Sequence, residues 1–123
     1  MVEVVFFREA DGRVPLLEWL DELLDEAVPR CIAKLQLLSW FGHQIRRPHA
    51  DLLRDGVHEL RAKFRGLNLR LLYFFDGQRA VVVSHGITKQ QARVPTAEIE
   101  LAPQRMLAFR EHPKRHTYRE DRS

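Results

Sequence analysis

Residues 57–95 read VHELRAKFRGLNLRLLYFFDGQRAVVVSHGITKQQARVP, and the period of their apolar positions decides the fold. From Val57 to Phe64, Leu60, Ala62 and Phe64 alternate with Glu59, Arg61 and Lys63, the pattern of a half-buried strand with one wet face. A turn region around Gly66 and Asn68 leads into Leu69 to Phe75, apolar almost throughout except at Arg70 and therefore expected as a central strand covered on much of both faces. Asp76-Gly77 is a short hairpin signal, and Ala80 to Ile87 follows as a β-branched strand. Thr88 to Pro95 turns polar and basic, the composition of an irregular segment. Guanidinium groups fixed on a small sheet match phosphate oxygens in bidentate geometry, so the expected partner is a polyanion, with RNA first.

Working outward toward the N-terminus, Val2 to Phe7 reads as a first strand closed by Asp11-Gly12. Pro15 suits a first helical turn, after which Leu16, Leu20, Leu23 and Ala27 form an apolar stripe. Glu18, Asp21, Glu22, Asp25 and Glu26 make the front of the chain acidic. Pro29 reopens the pattern, and Ile32, Leu35, Leu38 and Phe41 continue it to Gly42, so two helices form a hairpin with a very short connection. Residues 43–56, with Arg46, Arg47, Pro48 and Asp55-Gly56, are expected as a basic exposed loop anchored by Leu52 and Leu53. Toward the C-terminus, Thr96 is placed to cap a last helix carrying Ile99, Met106 and Phe109 and interrupted by Pro103. The charged segment 112–123 is expected to be a flexible or partner-ordered tail behind a single domain spanning 1–111.

The chain has 123 residues, enough for one domain with a core and too few for two ordinary ones. Twenty Lys and Arg against 17 acids give a net charge of +3, a mild excess concentrated in the second half. The one cysteine, Cys31, allows no internal disulfide, suits a reducing compartment and reads as a buried helix residue. With neither a signal-peptide pattern nor an apolar run long enough to span a bilayer, the expected location is the cytoplasm, with no membrane partner. In order β, α, α, three antiparallel β, α, the elements predict an α+β domain.

Three ordered motifs carry a family resemblance: L-R-D-G-V-H-E-L-R at 53–61, L-R-L-L-Y-F-F at 69–75, and H-G-I-T-K-Q-Q-A-R-V-P-T-A-E-I-E-L-A at 85–102. Together they resemble the RelE/ParE toxin superfamily over about residues 2–110, most closely its HigB-like, phage-derived host-inhibition branch. That resemblance implies a RelE-like fold with an N-terminal strand, a helical hairpin, an antiparallel sheet of about four strands and a C-terminal helix. It further implies the toxin of a type II toxin–antitoxin system, a metal-independent mRNA endonuclease without cofactor that acts on ribosome-bound messages. Translation inhibition would follow, and the partner would be a helix-turn-helix antitoxin. Such enzymes let the RNA 2′-hydroxyl attack the neighbouring phosphate while protein cations stabilise the developing charge.

Carried over position by position, Arg61, Arg70 and Lys89 are the expected catalytic residues. Lys63, Arg93, Arg46 and Arg47 are the expected contacts to RNA phosphates, and Tyr73 and His85 are the candidates for acid and base. Competing readings stand beside these. Arg61 has Glu59 within pairing reach, Arg70 in an apolar strand requires water or a partner, Tyr73 alternates with core residues, and His85 ends a valine-rich strand as a structural histidine does. Gln90 and Gln91 depart from the lysine and threonine of the family pattern, and Arg93 replaces a lysine. Those departures keep two alternatives open: a gyrase-inhibiting toxin that only binds, and an inactive remnant that retains its antitoxin contact.

Overall fold

The computed structural model describes residues 1–89 and 94–120. Its elements run β1 (Glu3–Phe7), α1 (Pro15–Glu22), α2 (Val28–Phe41), a 3-10 turn at Gly42–Gln44, β2 (Ala50–Arg54), β3 (Val57–Phe64), β4 (Leu67–Asp76), β5 (Ala80–Lys89), α3 (Thr96–Glu111) and β6 (Thr117–Tyr118). Two tight turns set the register of the meander. Asp55 and Gly56 have φ of 53° and 80°, and Arg65 and Gly66 have 48° and 82°. Paired left-handed residues twist a two-residue turn in the sense that flanking strands require. Glycine carries the second position of each, where a side chain would strain the backbone most.

The six strands form one mixed sheet in the order β2-β3-β4-β5-β1-β6. Antiparallel pairs join β2 to β3, β3 to β4 and β4 to β5, whereas β1 returns beside β5 in parallel, with Val5 opposite Val82. The α+β class is as expected, and the sheet is wider and more mixed than about four antiparallel strands. Residues 50–54, expected within a loop, are β2; a register shift between Leu52 and Arg54 breaks the two-residue alternation that would have marked a strand. At the other edge, Thr117 and Tyr118 pair with β1 and the His116 ring stacks on Phe7 at 5.0 Å. The charged segment expected to be a tail therefore supplies an edge strand. Its two short strand residues carry no periodic signal by which the sequence would reveal them.

Both faces of the sheet are covered, which explains why β4 is apolar on both sides. On one face, Leu16, Trp19, Leu35 and Leu38 from α1 and α2 cover Leu60, Leu69, Leu71 and Tyr73. On the other, Met106, Phe109, Ala102 and Ile99 from α3 meet Phe74, Val82, Leu72 and Ile87. The helices are thus divided between the two faces rather than gathered on one. Cys31 is buried in α2, where burial pushes its thiol up to about 11. Helix α3 continues through Pro103, and Thr96 is its first residue rather than its cap. Among the described residues, no helix is long and apolar enough to cross a membrane.

One close approach locks α1 onto β5. The Trp19 indole lies directly over Gly86, so that a Cβ on Gly86 would overlap the six-membered ring, and its Nε1–H donates to Thr88 Oγ1 at 3.1 Å. The Gly in the H-G-I-T-K segment is therefore a packing requirement. Gly86→Ala is expected to lower unfolding free energy by about 1–3 kcal/mol, because overpacking forces a rigid ring off its site. Urea denaturation checks this, and an unchanged midpoint would mean that the indole is free to move.

Candidate functional site

Arg61 and Arg70 stand directly opposite each other across the β3–β4 ladder, and Arg70 in turn faces Ile87 on β5. One step along the strands, Lys63 pairs with Asn68 and Asn68 with Lys89. Since side chains alternate along a strand, Arg61, Lys63, Arg70 and Lys89 all emerge on the face that carries Leu72 and Ile87. Where α3 covers that face it is apolar; toward the β3–β4 turn it becomes cationic. The sequence's three central residues and Lys63 are thus brought together.

Two arginines directly opposed on a sheet repel, and the structure places a carboxylate beneath them. Glu59, only 4 % exposed, sets its Oε2 3.2 Å from Arg70 Nε and 3.5 Å from Arg61 Nε. None of these three atoms completes a hydrogen bond among the described residues, so the pairing is one of charge rather than directed bonds. Arg70 Nη1 donates to the Leu69 carbonyl at 3.1 Å. Asp51 of β2 accepts from Arg61 Nη2 at 3.3 Å and from Arg47 Nη2 at 2.6 Å. A chain of alternating charge, Arg47–Asp51–Arg61–Glu59–Arg70, therefore fixes both guanidiniums in place.

Arg70 and Lys89 are 8 % and 6 % exposed. Burial holds the Arg70 guanidinium below its ordinary range, opposed by Glu59 and reinforced by Arg61. It also depresses Lys89, with Arg70 adding to the effect. A lysine so placed gives up its proton more readily than one in water, which suits it to the part of a proton donor. A cavity of about 670 Å³ wraps the edge of β3 beyond β2, lined by Arg61, Lys63 and Arg70 of the row and, from the other face of the sheet, by Arg30 and Lys34 of α2. Those two α2 cations carried no signal in the sequence, because only the packing of α2 beside the sheet turns them toward β3.

The remaining expected residues fall elsewhere. Tyr73 lies on the opposite face, 1 % exposed in the core under α1 and α2, where burial pushes its phenol far up. It does not reach the cationic row. Three strand positions separate it from Arg70, an odd number that already assigns the two to different faces. Arg46 Nη1 donates to the carbonyls of His43 at 2.6 Å and Ile45 at 2.9 Å, while Arg47 is held by Asp51. Arg93, with Gln90 and Gln91, lies outside the described residues.

His85 shares the face of the row but sits beneath α3. Its Nε2 is 2.9 Å from Glu98 Oε2 and its Nδ1 is 2.7 Å from Ser84 Oγ. A carboxylate can only accept, so in the neutral ring Nε2–H donates to Glu98 and Nδ1 accepts from Ser84. Arg105 closes the group, donating to Ser84 Oγ at 3.3 Å and pairing with Glu9 at 2.9 Å. Ser84 is 0 % exposed, and the Ser84–His85–Glu98 contacts tie α3 to β5. Burial first, and Arg105 second, hold the His85 imidazole below its usual range, against Glu98. The unfolded chain then takes up the proton more readily, so this contribution is present above the ordinary value of 6.5 and is lost as pH falls below it. His85→Gln is expected to shrink the fall in unfolding free energy between pH 8 and pH 5.5, as read by urea titrations at both values.

No curated protein matches the chain. Residues 18–107, from α1 to the last turns of α3 and including every strand of the cationic row, match the family described as Phage derived protein Gp49-like (DUF891). With that match spanning most of the chain, the protein belongs to the phage-derived Gp49-like family, a toxin-like family of toxin–antitoxin systems.

Proposed function

We propose that this protein is the toxin of a type II toxin–antitoxin pair and a metal-independent mRNA endonuclease of the HigB-like kind, acting in the cytoplasm on ribosome-bound messages. The observation that carries the reading is the opposed pair Arg61 and Arg70, seated on buried Glu59 with Lys89 on the same face. Family membership supports the toxin reading, and a helix-turn-helix antitoxin is the partner that goes with it.

In the proposed reaction the RNA 2′-oxygen attacks the adjacent phosphorus, its proton leaves to a base, and the bond from phosphorus to O5′ breaks. The products are a 2′,3′-cyclic phosphate and a 5′-hydroxyl. Arg61 and Arg70 donate to the non-bridging oxygens as negative charge grows on the five-coordinate phosphorus. Lys89, with its depressed proton affinity, supplies the proton to the departing O5′. Glu59 positions the two guanidiniums and touches no RNA.

Inducible expression in a bacterial host, with growth followed alongside primer-extension mapping of transcripts, tests the reading. Growth arrest with discrete cuts inside translated messages is expected. Arrest with DNA breaks and intact transcripts would replace it with the gyrase-inhibiting alternative. Tight antitoxin binding without arrest would identify a remnant, the reading that Gln90 and Gln91 favour.

A further inference from the structure

A second cavity, about 520 Å³, opens on the opposite face of the sheet from the cationic row. Its walls are rings. His43 stacks on Phe75 with centroids 3.7 Å apart and planes 16° apart, and His58 stacks on Tyr73 at 5.1 Å and 15°. Phe75 meets both His58 and Tyr73 edge-on, at 5.3 Å and 5.7 Å. Arg46 and Arg47 stand on the same cavity. An aromatic cluster made only to fill a core would have no use for two imidazoles and two guanidiniums around an open space.

The polar atoms of this cavity are arranged for recognition. His43 Nε2–H donates to the Gly77 carbonyl at 3.0 Å, which leaves Nδ1 as the ring position open to a ligand. The ring nitrogens of His58, which is half-buried on the cavity wall, make no hydrogen bond to another described residue. Burial, with His43 and Arg46 nearby, keeps His58 neutral, so that it presents one donor and one acceptor. Asp51, the acid on the cavity wall, is occupied by Arg47 and by Arg61 of the cationic row. Flat π faces, mixed donors and acceptors, and guanidinium at the rim match a nucleobase with its 5′-phosphate.

We propose that this cavity is a nucleobase-binding subsite, taking the base of one nucleotide against the His43 and His58 rings and its phosphate against Arg46 and Arg47. The subsite deepens the RNA reading and rests on it for its biological substrate. Binding at the cavity nevertheless has a direct readout that needs no cleavage. Arg46 and Arg47 thereby take the phosphate-contacting part expected of them, at a place apart from the row. Asp51 links the two places through the ion pairs it makes with Arg47 and Arg61.

The test is an NMR titration of the isotopically labelled protein with the four nucleoside 5′-monophosphates, and with inorganic phosphate as control, following the His43 and His58 rings. Base-dependent shifts at both histidines are expected with nucleotides and not with phosphate. His43→Ala, at an exposed position, is expected to weaken nucleotide binding about tenfold, the scale of one lost stacking partner. Shifts confined to residues around Arg61 and Arg70, the same with phosphate as with nucleotides, would overturn the subsite and leave the cationic row standing. Shifts nowhere at millimolar nucleotide would also overturn it. Transcript mapping decides the endonuclease separately, so the two failures are distinguishable.

Discussion

Arg70→Ala is expected to abolish growth arrest and to slow message cutting by roughly 10²–10³-fold, the loss that follows removal of one preorganised donor to a developing oxyanion. Such a donor acts only while charge grows on the phosphate, so the loss should fall on turnover more than on RNA affinity. The substitution also removes one of two cations beside buried Glu59, leaving Arg61 3.5 Å away as its partner. A stability cost of about 1–3 kcal/mol is expected on that account, the range for a buried polar group that loses one partner. Cooperative urea unfolding and retained antitoxin binding would show that the variant is folded. Arg70→Lys keeps the charge but not the planar fork, and should recover little activity. Full toxicity in a folded Arg70→Ala protein would remove this residue from the chemistry.

The largest stability effect is expected at Glu59. Glu59→Ala takes away the carboxylate on which Arg61 and Arg70 are seated and leaves two guanidiniums opposed across adjacent strands. Breaking a buried pair by deleting one partner costs about 3–5 kcal/mol. Here the lower end applies, because the Arg61 side chain keeps 32 % of its surface in water and can turn outward. Equilibrium denaturation measures the loss directly. A neutral result would mean that solvent reaches both arginines freely and that Glu59 does not hold them. Activity should fall further than stability alone explains, since the guanidiniums would no longer be fixed at one spacing.

Both expectations start from residues legible in the chain. Arg70 stands out because a cation in an apolar strand run is costly without a purpose, and Arg61 because the two-residue period sets it with Lys63 on the wet face of its strand. The same rule separates Tyr73 from Arg70, since residues three apart in a strand point opposite ways. Glu59 is visible as a neighbour of Arg61, but its burial is not. That depends on β2 closing one side and on β4 presenting Arg70 from the other.

Sequence by itself determined the three-strand meander, its turns, the two helices ahead of it, the helix behind it, and the face that Arg61 shares with Lys63. Those features rest on local period and turn chemistry, which act over a few residues. Tertiary structure alone decided the parallel return of β1 beside β5, the pairing of β6 with β1, the division of helices between the two faces, and the meeting of His43, His58, Tyr73 and Phe75 around one cavity. Each of these joins segments far apart in the chain, and no local period records such a contact, because it exists only once the intervening elements have packed.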